Sequence, residues 1–244
     1  MLKFSKQSVW DGKNFIIDAN AVNAFNDWYA KQSEIDDRYK HDEEILAKFI
    51  PKSIKKDSKF NDIYFVVTLI NAFYSTRMGN DYCYALSKLL HQNHQEIFNS
   101  IKLGKIETLQ NIIDKQENSL KRVEFSFTTK YFSLLCRYVN KCDKFPIYDS
   151  VVAKILDFYF YSNNKNTKKL VSNMRKDYVT YYRCITDLIG KSDIKYKKLD
   201  TYLWWLGRNI ISKYQEKSYN PKVFSASSDY KVIDNILTDI FKKI

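Results

Sequence analysis

The chain has 244 residues, 45% of them apolar and 16% aromatic, and a formal net charge of +12. This charge excludes an acidic, solvating protein, and the apolar fraction is enough to bury one sizeable core, which argues against disorder. Only five glycines and three prolines are present, too few for the tight turns of a β-sandwich or barrel. We therefore predict an all-α fold.

Apolar residues at helical spacing predict helices along the whole chain. The predicted helices cover residues 21–31, 43–49, 62–77, 81–92, 105–121, 129–139, 151–161, 170–189, 199–214 and 230–241. Pro146 lies in a predicted polar turn over residues 140–148, and Asp149 follows it at the position of an N-cap. Because no internal repeat marks a boundary, we expect a single domain over residues 1–244.

The longest stretch without a charged residue, 63–76, is 14 residues long, whereas a membrane-spanning helix needs about 20 apolar positions. Residues 1–13 carry charges among their apolar side chains and lack the pattern of a secretion signal, so we expect no membrane partner and a cytoplasmic location. The four cysteines form no CxxC pair, which predicts reduced thiols and no iron–sulfur site. We expect His91 and His94 on a solvated helix face, and we predict no metal and no cofactor.

The positive charge is concentrated in the second half of the chain. Residues 1–122 hold 18 basic and 16 acidic side chains, whereas residues 123–244 hold 22 and 12. The basic residues cluster within 163–198, where tyrosines are interleaved with them: Tyr178, Tyr181, Tyr182 and Tyr196. Such a pattern is typical of surfaces that attract phosphate and stack on bases. The alternative is an ordinary solvated helix face.

A lysine and an aspartate stand out on either side of the predicted turn. Lys130 lies at the first turn of the predicted helix 129–139, and Asp149 caps the next helix 19 positions later. A short connection would bring the amine and the carboxylate into one cleft. A helix N-terminus disfavours a cation, which would leave more of the neutral, nucleophilic amine. The alternative is an exposed salt bridge of little energetic value.

This segment resembles the helix-hairpin-helix DNA glycosylase superfamily, most closely its 8-oxoguanine DNA glycosylase branch. Thr129-Lys130 matches the pair that begins the helix after the family's hairpin, and Asp149 matches the aspartate that caps a later helix. The resemblance implies two helical lobes flanking a DNA-binding cleft, with Lys130 attacking the anomeric carbon of a nucleotide extruded from double-stranded DNA. Asp149 would stabilise the developing sugar cation, and β-elimination by the lysine adduct would follow.

The resemblance also implies residues that bind DNA. Where family hairpins carry glycines, this chain has Ser126, Phe127 and Thr128, so we expect the hydroxyls of Ser126, Thr128 and Thr129 to contact phosphate. A second, weaker match lies in the segment from which the family inserts a wedge into DNA. Its candidate residues are Asn71, Tyr74, Ser75 and Arg77. The alternative for this segment is an ordinary core helix.

The sequence thus predicts a monomeric DNA glycosylase that excises a damaged or modified base, in base-excision repair or in defence against phages with modified DNA. One alternative is a nucleic-acid-binding module that keeps the fold but does not excise. Another is a helical interaction protein whose basic face binds an acidic partner. Formation of an abasic site separates the first from the others.

Overall fold

A computed structural model describes residues 3–32, 37–74, 76–163, 173–174, 176–190, 194–216, 230–242 and 244. Over these residues the chain is helical, apart from turns, loops and one isolated β-bridge between Trp10 and Phe15. The predicted all-α class is therefore confirmed. The chain divides into two compact units, unit 1 with residues 1–33, 149–176 and 183–244, and unit 2 with residues 34–148 and 177–182.

The helices follow one another closely along the chain. They are α1 (Lys6–Val9), α2 (Ala19–Tyr29), α3 (Asp37–Ser53), α4 (Phe60–Phe73), α5 (Asn80–Gln92), α6 (His94–Leu103), α7 (Ile106–Leu120), α8 (Phe125–Val139), α9 (Ser150–Asn163), α10 (Tyr178–Ile189), α11 (Tyr196–Glu216) and α12 (Tyr230–Phe241). No helix among the described residues is long and apolar enough to cross a membrane.

Helix α8 forms the centre of unit 2. It packs against α3, α4, α6 and α7, and every residue from Phe125 to Cys136 except Ser126 is buried. A helix enclosed in this way is expected to be apolar on all sides. This one instead carries Thr128, Thr129, Lys130 and Ser133 at buried positions. The polar residues of the candidate site therefore lie within the core of the unit.

Helix α11 is the centre of unit 1 and packs against α2, α9 and α12. Its Gly207 lies against the first turns of α9, where a Cβ atom would come within 2.6 Å of Val151 Cγ1 and 3.0 Å of Ile155 Cγ1. Glycine is needed there because any side chain would push the two helices apart. This close approach fixes the position of the helix that Asp149 precedes.

Several predicted boundaries are wrong. Helix α6 was not predicted, since its polar residues mask the apolar spacing of the buried Ile97 and Ile101. Helix α4 ends at Phe73 instead of residue 77, and α8 begins at Phe125, four residues before its predicted start. Of the predicted helix 170–189, the described part becomes helix α10 only from Tyr178, and residues 170–172 and 175 lie outside the described residues.

The expectation of four reduced thiols is also wrong. Cys136, at the buried end of α8, forms a disulfide with Cys142 in the loop that follows, six positions away. The other two cysteines, Cys83 and Cys184, are free and buried. Sequence spacing did not reveal the pair because the loop folds back beside α8, which brings the two Cα atoms to 5.3 Å.

Candidate active site

Lys130 is a buried amine with defined neighbours. Lys130 as a whole is 6% exposed. Its Nζ donates a hydrogen bond of 2.8 Å to Ser126 Oγ. The two side chains meet because positions i and i+4 share one face of a helix. The ring of Tyr74, at the end of α4, lies with its centroid 5.4 Å from the same Nζ, within the range of a cation–π contact. Unit 2 thus holds this amine between a hydroxyl and an aromatic face.

The position of Lys130 along its helix differs from the prediction. Because α8 begins at Phe125, Lys130 is its sixth residue and lies in the second turn. The helix macrodipole acts mainly within the first turn, and Lys130 lies beyond that turn. The burial of Lys130 was not revealed by the periodicity of the sequence.

Thr129 ties α8 to the segment that leads to Asp149. The Thr129 hydroxyl accepts a hydrogen bond of 3.1 Å from the Tyr148 amide. The same hydroxyl lies within donor distance of the carbonyls of Ser126, at 3.0 Å, and Tyr148, at 3.3 Å. Since Tyr148 directly precedes Asp149 in the chain, the residue before the lysine is bonded to the residue before the aspartate.

Two tyrosines of α10 bond the backbone of the segment that leads to Asp149. Tyr178 donates a hydrogen bond of 3.0 Å to the Pro146 carbonyl, and Tyr181 one of 2.7 Å to the Ile147 carbonyl. Both tyrosines are fully buried. Neither alternative for this pattern, stacking on bases or a solvated helix face, therefore holds for these two residues, which instead bond the backbone of Pro146 and Ile147.

Asp149 is the N-cap of α9, as predicted. Its Oδ1 accepts a hydrogen bond of 2.8 Å from the Val151 amide, and its carbonyl accepts one of 2.8 Å from the Ala153 amide. A capping aspartate satisfies an amide that the helix leaves unpaired, and it places a carboxylate at the positive end of the helix.

Thr128 lies in the interior of unit 2 and is 1% exposed. Its hydroxyl donates to the Glu124 carbonyl over 2.9 Å and accepts a bond of 2.7 Å from Gln116 Nε2. Thr129 is likewise buried and bonded within the protein. Both hydroxyls are thus used within the protein and Ser126 bonds Lys130, while the predicted phosphate contacts of the three residues stay a prediction.

Gln116 is a site residue that sequence reasoning missed. It is fully buried in α7, and its Oε1 accepts bonds from the Glu124 amide at 3.0 Å and the Tyr82 hydroxyl at 3.3 Å. Burial, reinforced by Glu124 and opposed by Arg122, raises the pKa of Tyr82 to about 12. This hydroxyl therefore stays protonated and donates. A glutamine inside an amphipathic pattern carries no distinctive signal, although its place on the apolar face of α7 was a clue.

The predicted wedge residues have three different environments. Asn71 closes the turn after α4, because its side chain donates to the Met78 carbonyl at 3.0 Å and accepts from the Met78 amide at 3.1 Å. Arg77 is exposed and has a left-handed φ of 56°. Tyr74 lies over the Lys130 amine, a pairing that the sequence did not predict. Ser75 lies outside the described residues.

The histidines behave differently from one another. His91 is exposed, as expected, whereas His94 is 3% exposed and its Nε2 lies 2.6 Å from the Lys55 carbonyl. The expectation of a solvated His94 is therefore wrong. No group of three or more potential metal ligands occurs among the described residues.

Comparisons with known proteins add little beyond this geometry. No family model and no solved structure matches the chain. A protein from Haemophilus influenzae, described as uncharacterized, is 35% identical over 113 residues, which cover 46% of this chain and 51% of the relative. The chain thus spans about half the length of the curated relative that it matches, and that relative's description assigns no activity.

Proposed function

We propose that the protein is a DNA N-glycosylase that extrudes a damaged or modified base from double-stranded DNA and excises it. Lys130 is the nucleophile and Asp149 assists it. One observation carries the proposal: a buried amine is held on α8 by Ser126, and the adjacent Thr129 is bonded to Tyr148, the neighbour of Asp149. Burying a lysine in a core helix is costly, and catalysis is a reason to retain it.

The chemistry requires an amine and a carboxylate. The neutral Lys130 amine attacks C1′ of the extruded nucleotide, and the C1′–N bond breaks with its electron pair leaving on the base, which takes up a proton. The Asp149 carboxylate stabilises the positive charge that develops on the sugar. The amine loses a proton as the sugar ring opens, which leaves an iminium at C1′. Loss of a C2′ proton then expels the 3′ phosphate, and water releases the lysine.

The charge of the chain suits a polyanionic substrate. Its net charge is +12, and most of the excess lies in residues 123–244. Such an excess attracts DNA without reading its sequence, so base selection must come from the pocket that receives the extruded nucleotide. The class of base therefore has to be found by experiment, and oxidised, alkylated and phage-modified bases separate a repair role from a defence role.

Borohydride trapping tests the nucleophile directly. Incubation with a panel of duplexes carrying these lesions, followed by reduction, should yield a covalent complex with at least one of them. Lys130→Gln and Lys130→Met should abolish the complex while leaving helical content unchanged. Lys102→Gln, which removes an exposed lysine of α6, is the matched control and should trap as the parent does. Trapping that survives in both Lys130 variants would remove Lys130 from the mechanism.

Asp149→Asn removes the negative charge of the carboxylate but keeps the N-cap of α9. Asparagine is as good an N-cap as aspartate, so this variant should keep α9 and its stability while it loses the charge. Base release should slow by about 100-fold or more, as for loss of other electrostatic catalysts, with DNA affinity little changed. Affinity for DNA without any released base, across the whole panel, would instead identify a binding module.

A further inference from the structure

Three aromatic rings form a partly exposed surface on unit 2. Phe60 and Tyr64, one turn apart on α4, stack at 5.8 Å with an angle of 8° between their planes. Tyr84, on α5, meets them edge-on, at 5.1 Å from Phe60 and 5.9 Å from Tyr64. Tyr84 remains 45% exposed within this cluster. We call these three residues the ring surface.

Two lysines and a histidine border the ring surface. Lys88, one turn after Tyr84 on α5, places its Nζ 4.6 Å from the centre of the Tyr84 ring. His91, on the same helix, lies edge-on to Phe60 at 6.2 Å. Lys59 is the N-cap residue of α4 and directly precedes Phe60. Lys59, at the start of α4, and Lys88, on α5, therefore place positive charge next to the rings.

A lysine-rich loop leads into the ring surface, and its backbone is held in place. Ser58 accepts a hydrogen bond of 2.7 Å from the Lys55 amide, and the Lys55 carbonyl lies 2.6 Å from His94 Nε2. Gln95 donates to the carbonyl of Lys56. These bonds fix the loop backbone against the start of α6, while the side chains of three lysines stay exposed: Lys55, Lys56 and Lys59.

The carboxylates of Asp57 and Asp62 lie among these lysines and offset part of their charge, but the exposed lysines Lys55, Lys56, Lys59 and Lys88 outnumber them. Asp57 is the one acidic residue of the loop, and Asp62, in the first turn of α4, uses a carboxylate oxygen to accept the Lys59 amide at 2.8 Å. A partner for this region must therefore offer both flat apolar faces and regularly spaced negative charge. Among macromolecules, a single-stranded nucleic acid has both, since its bases are free to stack and every nucleotide carries a phosphate.

We infer that the ring surface and its lysine loop bind a single strand of nucleic acid. Bases stack against the rings of Tyr64 and Tyr84, and phosphates lie along Lys55, Lys56 and Lys88. A paired duplex hides its base faces and engages only the lysines. The ring surface uses none of the residues assigned to excision, so this binding is independent of Lys130.

Binding of a labelled oligothymidylate of about 12 nucleotides, a length within the usual site size, tests the inference by fluorescence polarisation. Tyr64→Leu with Tyr84→Leu should weaken binding by about 10-fold or more, since each stacked base contributes roughly 5- to 100-fold. Tyr64→Phe with Tyr84→Phe keeps both rings and should bind as the parent does. Lys55→Gln with Lys56→Gln should lower the slope of log affinity against log salt by about 0.7 for each lost phosphate contact.

Three results would overturn the inference: no binding at low salt, equal binding by the leucine variant and the parent, or duplex DNA binding more tightly with the same dependence on the rings. Lys130→Gln should bind the strand as tightly as the parent. Strand binding that depends on the two tyrosines would therefore survive a failure to find excision, and excision would survive a failure of strand binding. Circular dichroism of each variant verifies that the helices remain.

Discussion

Thr129→Val removes one hydroxyl from the core of unit 2 and keeps the shape of the side chain. In the parent, that hydroxyl accepts the Tyr148 amide at 3.1 Å and can donate to the Ser126 carbonyl at 3.0 Å. Thr129 is fully buried, so valine leaves the Tyr148 amide without its acceptor. A buried donor left unsatisfied costs about 1–3 kcal/mol. For a chain of this size, this corresponds to a fall of roughly 2–12 °C in melting temperature.

Thr128→Val is the matched control. It removes the neighbouring hydroxyl and leaves Gln116 Nε2 without its acceptor, which costs a similar amount of stability. Only Thr129→Val releases Tyr148, the residue before Asp149. Under conditions where both variants are folded, Thr129→Val should trap DNA about 10- to 100-fold more slowly than Thr128→Val, because small displacements of reacting groups are costly.

Circular dichroism during heating measures the melting temperature of each variant. Borohydride trapping at a fixed temperature measures the rate of covalent trapping. Equal trapping rates in the two variants would refute the idea that Thr129 positions the catalytic groups. An unchanged melting temperature in Thr129→Val would refute the energetic argument itself.

The remaining predictions concern other parts of the molecule. Gly207→Ala should lower the free energy of unfolding by about 1–3 kcal/mol, because the added methyl meets Val151 Cγ1 at 2.6 Å; Val151→Ala in the same chain should recover part of the loss in urea unfolding. Reducing the Cys136–Cys142 disulfide should cost about 2 kcal/mol, and thiol titration of the unfolded, unreduced protein should find two thiols rather than four. Burial raises the pKa of Tyr131 above its ordinary 10.0, so its contribution to stability is complete below pH 10 and is lost as pH rises further. Its hydroxyl has no hydrogen-bond partner among the described residues, so Tyr131→Phe should be at least as stable as the parent at pH 7 and less sensitive to alkaline unfolding.

The helical architecture was largely readable from the sequence. Apolar spacing predicted most helices in the described residues, because a helix that packs on one face repeats its buried residues every three or four positions. The Asp149 cap was equally readable, since aspartate before an apolar run is a local signal. These features depend on residues close together in the chain, which is why a single sequence revealed them.

Contacts made through loops or between different helices were not readable. The start of α8 was placed four residues late because its first turn is fixed by Gln116, which accepts the Glu124 amide from a different helix. The disulfide depends on a loop that folds back beside α8. Tyr74 reaches Lys130 only because α4 packs against α8. Each of these contacts joins segments whose separation in sequence carries no periodic signal.

The polar residues of α8 join the fold to the proposed chemistry. A helix buried on every side is most stable when it is apolar, yet α8 places a threonine pair and a lysine at successive buried positions, residues 128–130. Each threonine satisfies a partner that would otherwise be unpaired, Gln116 for one and Tyr148 for the other. Their polarity is therefore explained by packing. Lys130 differs, because a leucine or methionine of similar length would fill the same space without the cost of burying an amine. The amine bonds Ser126 and lies against the Tyr74 ring, and under the proposed function its role as the nucleophile is what offsets the cost of its burial.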